Sequence, residues 1–247
     1  MKSIIAIILA AGKGTRLKSD KPKVLHTINN KPMIHHVINS CNDAQINDIC
    51  LVVGYKKDEV INACKPFNVN HCFQEEQLGT GHAVICALPE IKQSNCDYVV
   101  ILAGDCPLIQ PKTLSELIHK HEHTNASVTL LTSTLPDAGN YGRIIRDTNN
   151  NITAIQEAKD CTESQLAINE FNSGIYCFNS VDLNNSINEL KTNNSQNEYY
   201  LTDMIDILKN NNKTISGHCI DTTYEVLGAN TQTELNELNE KAIALSK

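Results

Sequence analysis

The chain has 247 residues, a formal charge of −7, 41% apolar residues and only 4% aromatic ones. That length can bury a substantial core. The acidic balance excludes non-specific nucleic-acid binding, which needs a basic face, and no apolar run is long enough to span a bilayer.

The first element is the most informative. An unbroken apolar run predicts a strand from Ser3 to Leu9, buried on both faces. It is followed by Ala10-Ala11-Gly12-Lys13-Gly14-Thr15-Arg16-Leu17, with Lys21-Pro22-Lys23 a few residues on. Gly12 and Gly14 can take backbone angles that other residues avoid, and they let a bulky anion approach the main-chain N–H groups. Lys13, Arg16 and Lys23 supply positive charge. The spacing is neither G-x-x-x-x-G-K-[ST] nor G-x-G-x-x-G, since Leu17 stands where a third glycine would be needed. A phosphate-binding loop and a glycine turn that binds nothing both remain open on this stretch alone. A secretion leader is the third reading, but Gly-Lys-Gly-Thr-Arg is a poor cleavage region, so a soluble, cytoplasmic protein is expected.

Further along, the pattern predicts a helix from Pro32 to Asn42, a strand from Ile49 to Val53 and a helix from Lys57 to Cys64. A strand from Val69 to Phe73, a helix from Gly81 to Leu88, a strand from Tyr98 to Ala103 and a helix from Lys112 to Thr124 follow. This alternation predicts an α/β fold with a mostly parallel central sheet flanked by helices. Ligands then belong at the carboxyl ends of the strands.

After Ser127 to Thr134, strands at Tyr141 to Ile144, Ile152 to Gln156 and Gly174 to Phe178 predict an additional β-rich lobe facing that end. Helices at Val181 to Leu190 and Leu201 to Lys209, a strand at Thr214 to Cys219 and a helix at Thr231 to Leu245, capped by Thr231, complete the order. One domain over 1–228, with halves meeting near 110, and a C-terminal helix over 229–247 are expected.

Ten cysteines are scattered without a C-x-x-C pair, and we read them as reduced and structural. His119 and His123 share one helix face but lack a third metal ligand, so a solvated helix end is the simpler reading. Asp105, in Ala103-Gly104-Asp105-Cys106-Pro107, stands at the carboxyl edge of its strand. Alone it is a turn residue or cap; opposite a phosphate loop it is placed to hold Mg²⁺ on a triphosphate.

Together these blocks resemble the uridylyltransferase domain of the bacterial N-acetylglucosamine-1-phosphate uridyltransferases. Leu9 to His26 carries the resemblance first. Gln77-Leu78-Gly79-Thr80-Gly81-His82-Ala83, Tyr141-Gly142-Arg143-Ile144, Asn172-Ser173-Gly174-Ile175, Glu198 to Asp203 and Gly228-Ala229-Asn230 follow in order across nearly the whole chain.

The resemblance implies a Rossmann-like nucleotidyltransferase fold and transfer of UMP from UTP to N-acetylglucosamine-1-phosphate. The products would be UDP-N-acetylglucosamine, a precursor of peptidoglycan and lipopolysaccharide, and pyrophosphate. It implies that Leu9, Ala10, Ala11, Gly12 and Gly14 line the nucleotide pocket, that Gln74 reads the uracil edge, and that Gly79 and Thr80 close over base and ribose. Gly104, Gly142, Glu157, Asn172, Tyr200 and Thr202 would hold the amino sugar, Asp105 and Asn230 would coordinate Mg²⁺, and Arg16 and Lys23 would be the catalytic cations.

Two departures matter. Ala103 stands where the family commonly has Tyr. The acetyltransferase β-helix of the bifunctional members is absent from this sequence, so no acetyltransferase activity and a monomer or small homo-oligomer are expected. The competing readings are another sugar nucleotidylyltransferase, of the UDP-glucose or dTDP-glucose type, and a nucleotide-binding regulator without chemistry.

Overall fold

In the computed structural model, which describes residues 2–246, the opening apolar run forms β1 (Ile4–Ala10). Ile5 and Ile7 of β1 face one side of the sheet while Ala6, Ile8 and Ala10 face the other, all of them buried. Burial on both faces removes the need for polar alternation, which is why the run is continuously apolar.

After the glycine loop come a short hairpin, β2 (Thr27–Ile28) with β3 (Lys31–Pro32), then α1 (Met33–Asp43), β4 (Asp48–Val53), α2 (Lys57–Cys64) and β5 (Asn70–Phe73). The chain continues through α3 (Thr80–Ser94), β6 (Tyr98–Ala103), α4 (Pro111–Thr124), β7 (Val128–Thr134), β8 (Arg143–Arg146), β9 (Ile152–Gln156) and α5 (Glu163–Leu166). It closes with β10 (Glu170–Asn179), α6 (Ser180–Ser186), α7 (Met204–Asn210), β11 (Ile215–Ile220) and α8 (Gln232–Leu245).

The strand order β11-β7-β10-β6-β1-β4-β5 is a mostly parallel sheet in which only β10 runs against its neighbours. One apolar layer packs α1, α2 and α4 on the sheet through Ile34, Val37, Val60, Leu114 and Leu117. The opposite layer packs α3, α6 and α7 through Val84, Ala87, Leu183, Met204 and Leu208. The expected α/β architecture is therefore present. No helix among the described residues is long and apolar enough to cross a membrane, and all ten cysteines are free.

Several boundaries differ from the sequence reading. α3 does not stop at Leu88 but continues through Pro89 to Ser94, because the burial of Ala87, Leu88 and Ile91 on one face outweighs the missing N–H. Val181 to Leu190 and Leu201 to Lys209 each divide into an α-helix and a 3-10 turn. The expected strand at Gly174 is the second half of a longer one, since β10 begins at Glu170 and carries a bulge between Asn172 and Ile175. β8 and β9 pair with each other and join β10 at Phe171 opposite Arg143, so the added strands extend the central sheet. The β2–β3 hairpin was not foreseen.

α8 is tied to the glycine loop. Leu235, Leu238 and Ala242 share a third apolar cluster with Leu17, Ile28, Met33, Leu108 and Ala229.

Candidate active site

β1 pairs in parallel with β4 and β6, and Leu9 stands beside Ala103 and Val52, so the three strands end at one level. The glycine loop and the Gly104–Asp105 turn therefore leave the sheet side by side. The Gly104 N–H donates to the Leu9 carbonyl at 3.0 Å. A Cβ on Gly104 would stand 2.9 Å from that oxygen, so this close approach requires glycine.

The loop itself is anchored at both ends. Gly14 takes φ +68°, and a Cβ there would lie 2.8 Å from the Cβ of Lys23. The Tyr55 N–H donates to the Ala11 carbonyl at 3.0 Å, and the Tyr55 hydroxyl and Lys56 ammonium hold Asp20 at 2.8 and 2.6 Å. Those two donors keep the Asp20 carboxyl below the usual range, Lys56 being the larger cause.

Four polar side chains converge beside this loop. Lys23 pairs with the Asp105 carboxylate and donates to Asn230 Oδ1 at 2.7 Å, while Arg16 donates to the same oxygen at 2.9 Å. Asn230 is positioned by the cap of α8. Glu234 accepts the Asn230 and Thr231 N–H groups at 2.8 and 2.7 Å, and Thr231 Oγ1 accepts the Glu234 N–H at 3.2 Å, forming a capping box. Asp105 is backed by Gly228, where a Cβ would come within 2.6 Å of its Oδ2.

A cavity of about 800 Å³ runs from this cluster across the sheet edge. Leu9, Arg16, Thr80, Asp105, Gly142, Glu157, Asn172, Thr202 and Asn230, all sequence candidates, line it. At its far end Thr202 donates to Glu157 at 3.0 Å, and Asn172 donates to the Tyr176 hydroxyl at 2.7 Å. The β10 bulge and the positive φ of Gly174 shape the turn that follows Asn172. Burial pushes the Glu157 carboxyl up, and nearby Asp203, Asp160 and Glu198 add to this while Thr202 opposes it.

None of the other candidates is among the residues that line this cavity. Ala10, Ala11, Gly12 and Gly14 belong to the loop after β1, and Gln74 and Gly79 belong to the turn between β5 and α3. Tyr200 does not line the cavity: its hydroxyl accepts from Gln196 at 2.8 Å and donates to Asp160 at 3.3 Å. Sequence reasoning assigned no role to Arg143, a fully buried guanidinium that donates to the Tyr141 carbonyl and, at 3.0 Å, to that of Gly139. It staples the loop that lines one wall, and only its place in Tyr141-Gly142-Arg143-Ile144 marked it beforehand.

The model of the nucleotidyl transferase family matches residues 5–221. The chain belongs to this family. As a nucleotidyl transferase it is 45% identical over 232 residues to the bifunctional protein GlmU of Clostridium botulinum (strain Loch Maree / Type A3), covering 94% of this chain and 50% of that protein. GlmU of Acetivibrio thermocellus is 44% identical over 237 residues, covering 96% of this chain and 51% of that protein. The chain thus spans about half the length of the curated relatives it matches. A crystal structure from Bacillus anthracis, described as a glucose-1-phosphate thymidylyltransferase in complex with sucrose, superposes with a TM-score of 0.77 at 20% identity. The alignment covers 97% of this chain and 95% of that one, and it shows the shared fold.

Stability is expected to depend on pH through one acidic group outside the cluster. Burial, reinforced by Asp206 and Asp160, pushes the Asp203 carboxyl from the usual 3.8 up to about 6. A raised folded-state value means that the native state favours the protonated form. This contribution is full below about pH 4 and is lost as pH rises through about 6. Asp203→Asn is therefore expected to gain stability relative to the parent chain across that window. Denaturant midpoints measured at several pH values check this, and a constant difference across the window would refute the assignment.

Proposed function

We propose that this nucleotidyl transferase moves a uridylyl group from UTP to N-acetylglucosamine-1-phosphate, forming UDP-N-acetylglucosamine and pyrophosphate. The observation that carries the reading is the convergence of Arg16, Lys23, Asp105 and Asn230 at one end of a cavity whose other end offers Glu157, Thr202 and Asn172. The similarity to the GlmU proteins supports uridine and the amino sugar as the substrates.

In this reading a phosphate oxygen of the sugar phosphate attacks the α-phosphorus of UTP, and the bond from that phosphorus to the pyrophosphate oxygen breaks. The nucleophile is already anionic, so no general base is needed. Catalysis then consists of bringing two mutually repelling anions together and neutralising the charge that builds on the α-phosphate and the leaving group. Arg16 offers a planar fork of donors and Lys23 a compact charge. Backbone N–H groups of the 10–14 loop take the triphosphate, Gln74, Gly79 and Thr80 take the base and ribose, and Gly104, Gly142, Glu157, Asn172 and Thr202 take the sugar.

The donor set also suits Mg²⁺. Asp105 and Asn230 direct a carboxylate and an amide oxygen at one point, where the Lys23 ammonium now sits. Among the described residues no group of three or more His, Cys, Asp or Glu could cage a metal. Two hard oxygens with the rest supplied by phosphate and water is how Mg²⁺ is usually held. When bound there it would neutralise phosphate charge.

The test is pyrophosphate release by the purified chain with Mg²⁺, pairing UTP, CTP and dTTP with N-acetylglucosamine-1-phosphate and glucose-1-phosphate. Release with UTP and the amino sugar phosphate is expected to lead the panel. A higher rate with dTTP and glucose-1-phosphate would replace this reading with the thymidylyltransferase one. UTP binding without release from any pair would make the chain a non-catalytic binder.

A further inference from the structure

The turn between β5 and α3 holds a hydrogen-bond chain that leaves one atom of Gln74 to spare. The Gln74 side chain is buried, and its Nε2 lies 3.0 Å from the Gly79 carbonyl and 3.2 Å from His82 Nδ1. A carbonyl can only accept, so the nitrogen end of the amide must face Gly79. That amide has two hydrogens, and the second points at His82 Nδ1, which must then carry a lone pair. The ring proton therefore sits on Nε2, 3.8 Å from Cys86 Sγ.

His82 itself cannot turn away easily. Its ring stacks on Tyr199 with centroids 6.1 Å apart and planes 28° from parallel. Tyr199 is locked in turn, its N–H donating to Leu78 and its carbonyl accepting from Gly81, both at 2.8 Å. The Gln74 backbone is fixed too, with its N–H on the Val53 carbonyl at 2.9 Å and its carbonyl accepting from Gln77 at 3.1 Å. The amide oxygen alone has no hydrogen-bond partner among the described residues.

We propose that His82 is a positioning residue for nucleotide choice: by accepting the second amide hydrogen of Gln74, it makes Gln74 an obligate acceptor toward the base. An obligate acceptor takes the N3–H that uracil and thymine share. It confronts the N3 lone pair of cytosine, and a site built to pair with an N–H rejects the analogue that lacks it. Without His82 the amide can rotate, and the distinction weakens. The proposal rests on the reading above only in that Gln74 meets the base.

Calorimetric binding of UTP and CTP to the purified chain with Mg²⁺ tests this without requiring turnover. His82→Phe keeps a ring over Tyr199 and removes the acceptor, while His82→Asn sets an amide oxygen near the place of Nδ1. The Phe variant is expected to lose at least about tenfold of the UTP-over-CTP preference, mainly through weaker UTP binding, whereas the Asn variant keeps it within about threefold. In the transfer assay the Phe change should raise KM for UTP and leave kcat within about threefold. If the Phe ring is not accommodated, His82→Leu serves as the variant lacking an acceptor.

An unchanged preference in the folded Phe or Leu variant overturns the proposal, as does a parent chain that binds UTP and CTP equally. Selective binding that relaxes in the variants, with no pyrophosphate released from any sugar phosphate, would sustain the role of His82 while sinking the transferase reading. A parent chain that binds neither nucleotide defeats both.

Discussion

Arg16→Ala and Lys23→Ala are each expected to lower turnover by about 10²-fold or more, the scale of losing a main electrostatic stabiliser. Both side chains reach the same oxygen of Asn230, so each loss is felt where the α-phosphate charge would build. The two variants differ in what they leave behind. Arg16 is exposed, and its removal should lower kcat while leaving the fold intact. Removing Lys23 also deprives the mostly buried Asp105 carboxylate of its counter-charge, so some stability is lost with the rate. Steady-state pyrophosphate release together with a melting curve separates the two effects. Near-normal turnover in both variants would remove these cations from the chemistry.

Gly228→Ala is the second large effect, and it removes no charge. The added methyl would stand 2.6 Å from Asp105 Oδ2 and 3.2 Å from its Cγ. Asp105 cannot retreat freely, because Lys23 holds its carboxylate and its carbonyl accepts the Ala229 N–H at 3.4 Å. A displacement of about 1 Å at a reacting centre can cost about 10² in rate. We expect a loss of that size in kcat, with the melting temperature changed by only a few degrees. Unchanged kcat would mean that the carboxylate does not have to sit where it does.

How much of this was legible in the chain depended on whether the signal was local. The glycine loop, the alternation of apolar strands with amphipathic helices, and the cap at Thr231 are short-range patterns, and β1, α2, β6 and the Thr231 cap lie within a residue or two of their expected places. Asp105 could be placed at a strand end for the same reason. Tertiary burial decided what local pattern could not. α3 runs through Pro89 because its far half has a sheet to cover, and β10 carries a bulge between Asn172 and Ile175. The contacts between Gly228 and Asp105, and between Gln74 and His82, bring together groups whose partners no spacing rule names. His82 stood inside a quoted motif, yet only the hydrogen-bond chain gave it a task.

The cation cluster draws on residues 16, 23, 105 and 230, so its contacts join segments as far as 214 residues apart in sequence. A growing chain that has emerged as far as β11 already holds every strand of the central sheet and both glycine turns. It lacks the oxygen that Arg16 and Lys23 share, and the helix whose leucines hold Leu17 in place. Contacts of long sequence separation cost more loop-closure entropy than local ones. On the proposed function the cluster is incomplete until α8 docks, so onset of turnover is expected to report that docking. A pulse of UTP and sugar phosphate added during refolding is therefore expected to be consumed no earlier than the sheet's own spectroscopic signal levels off.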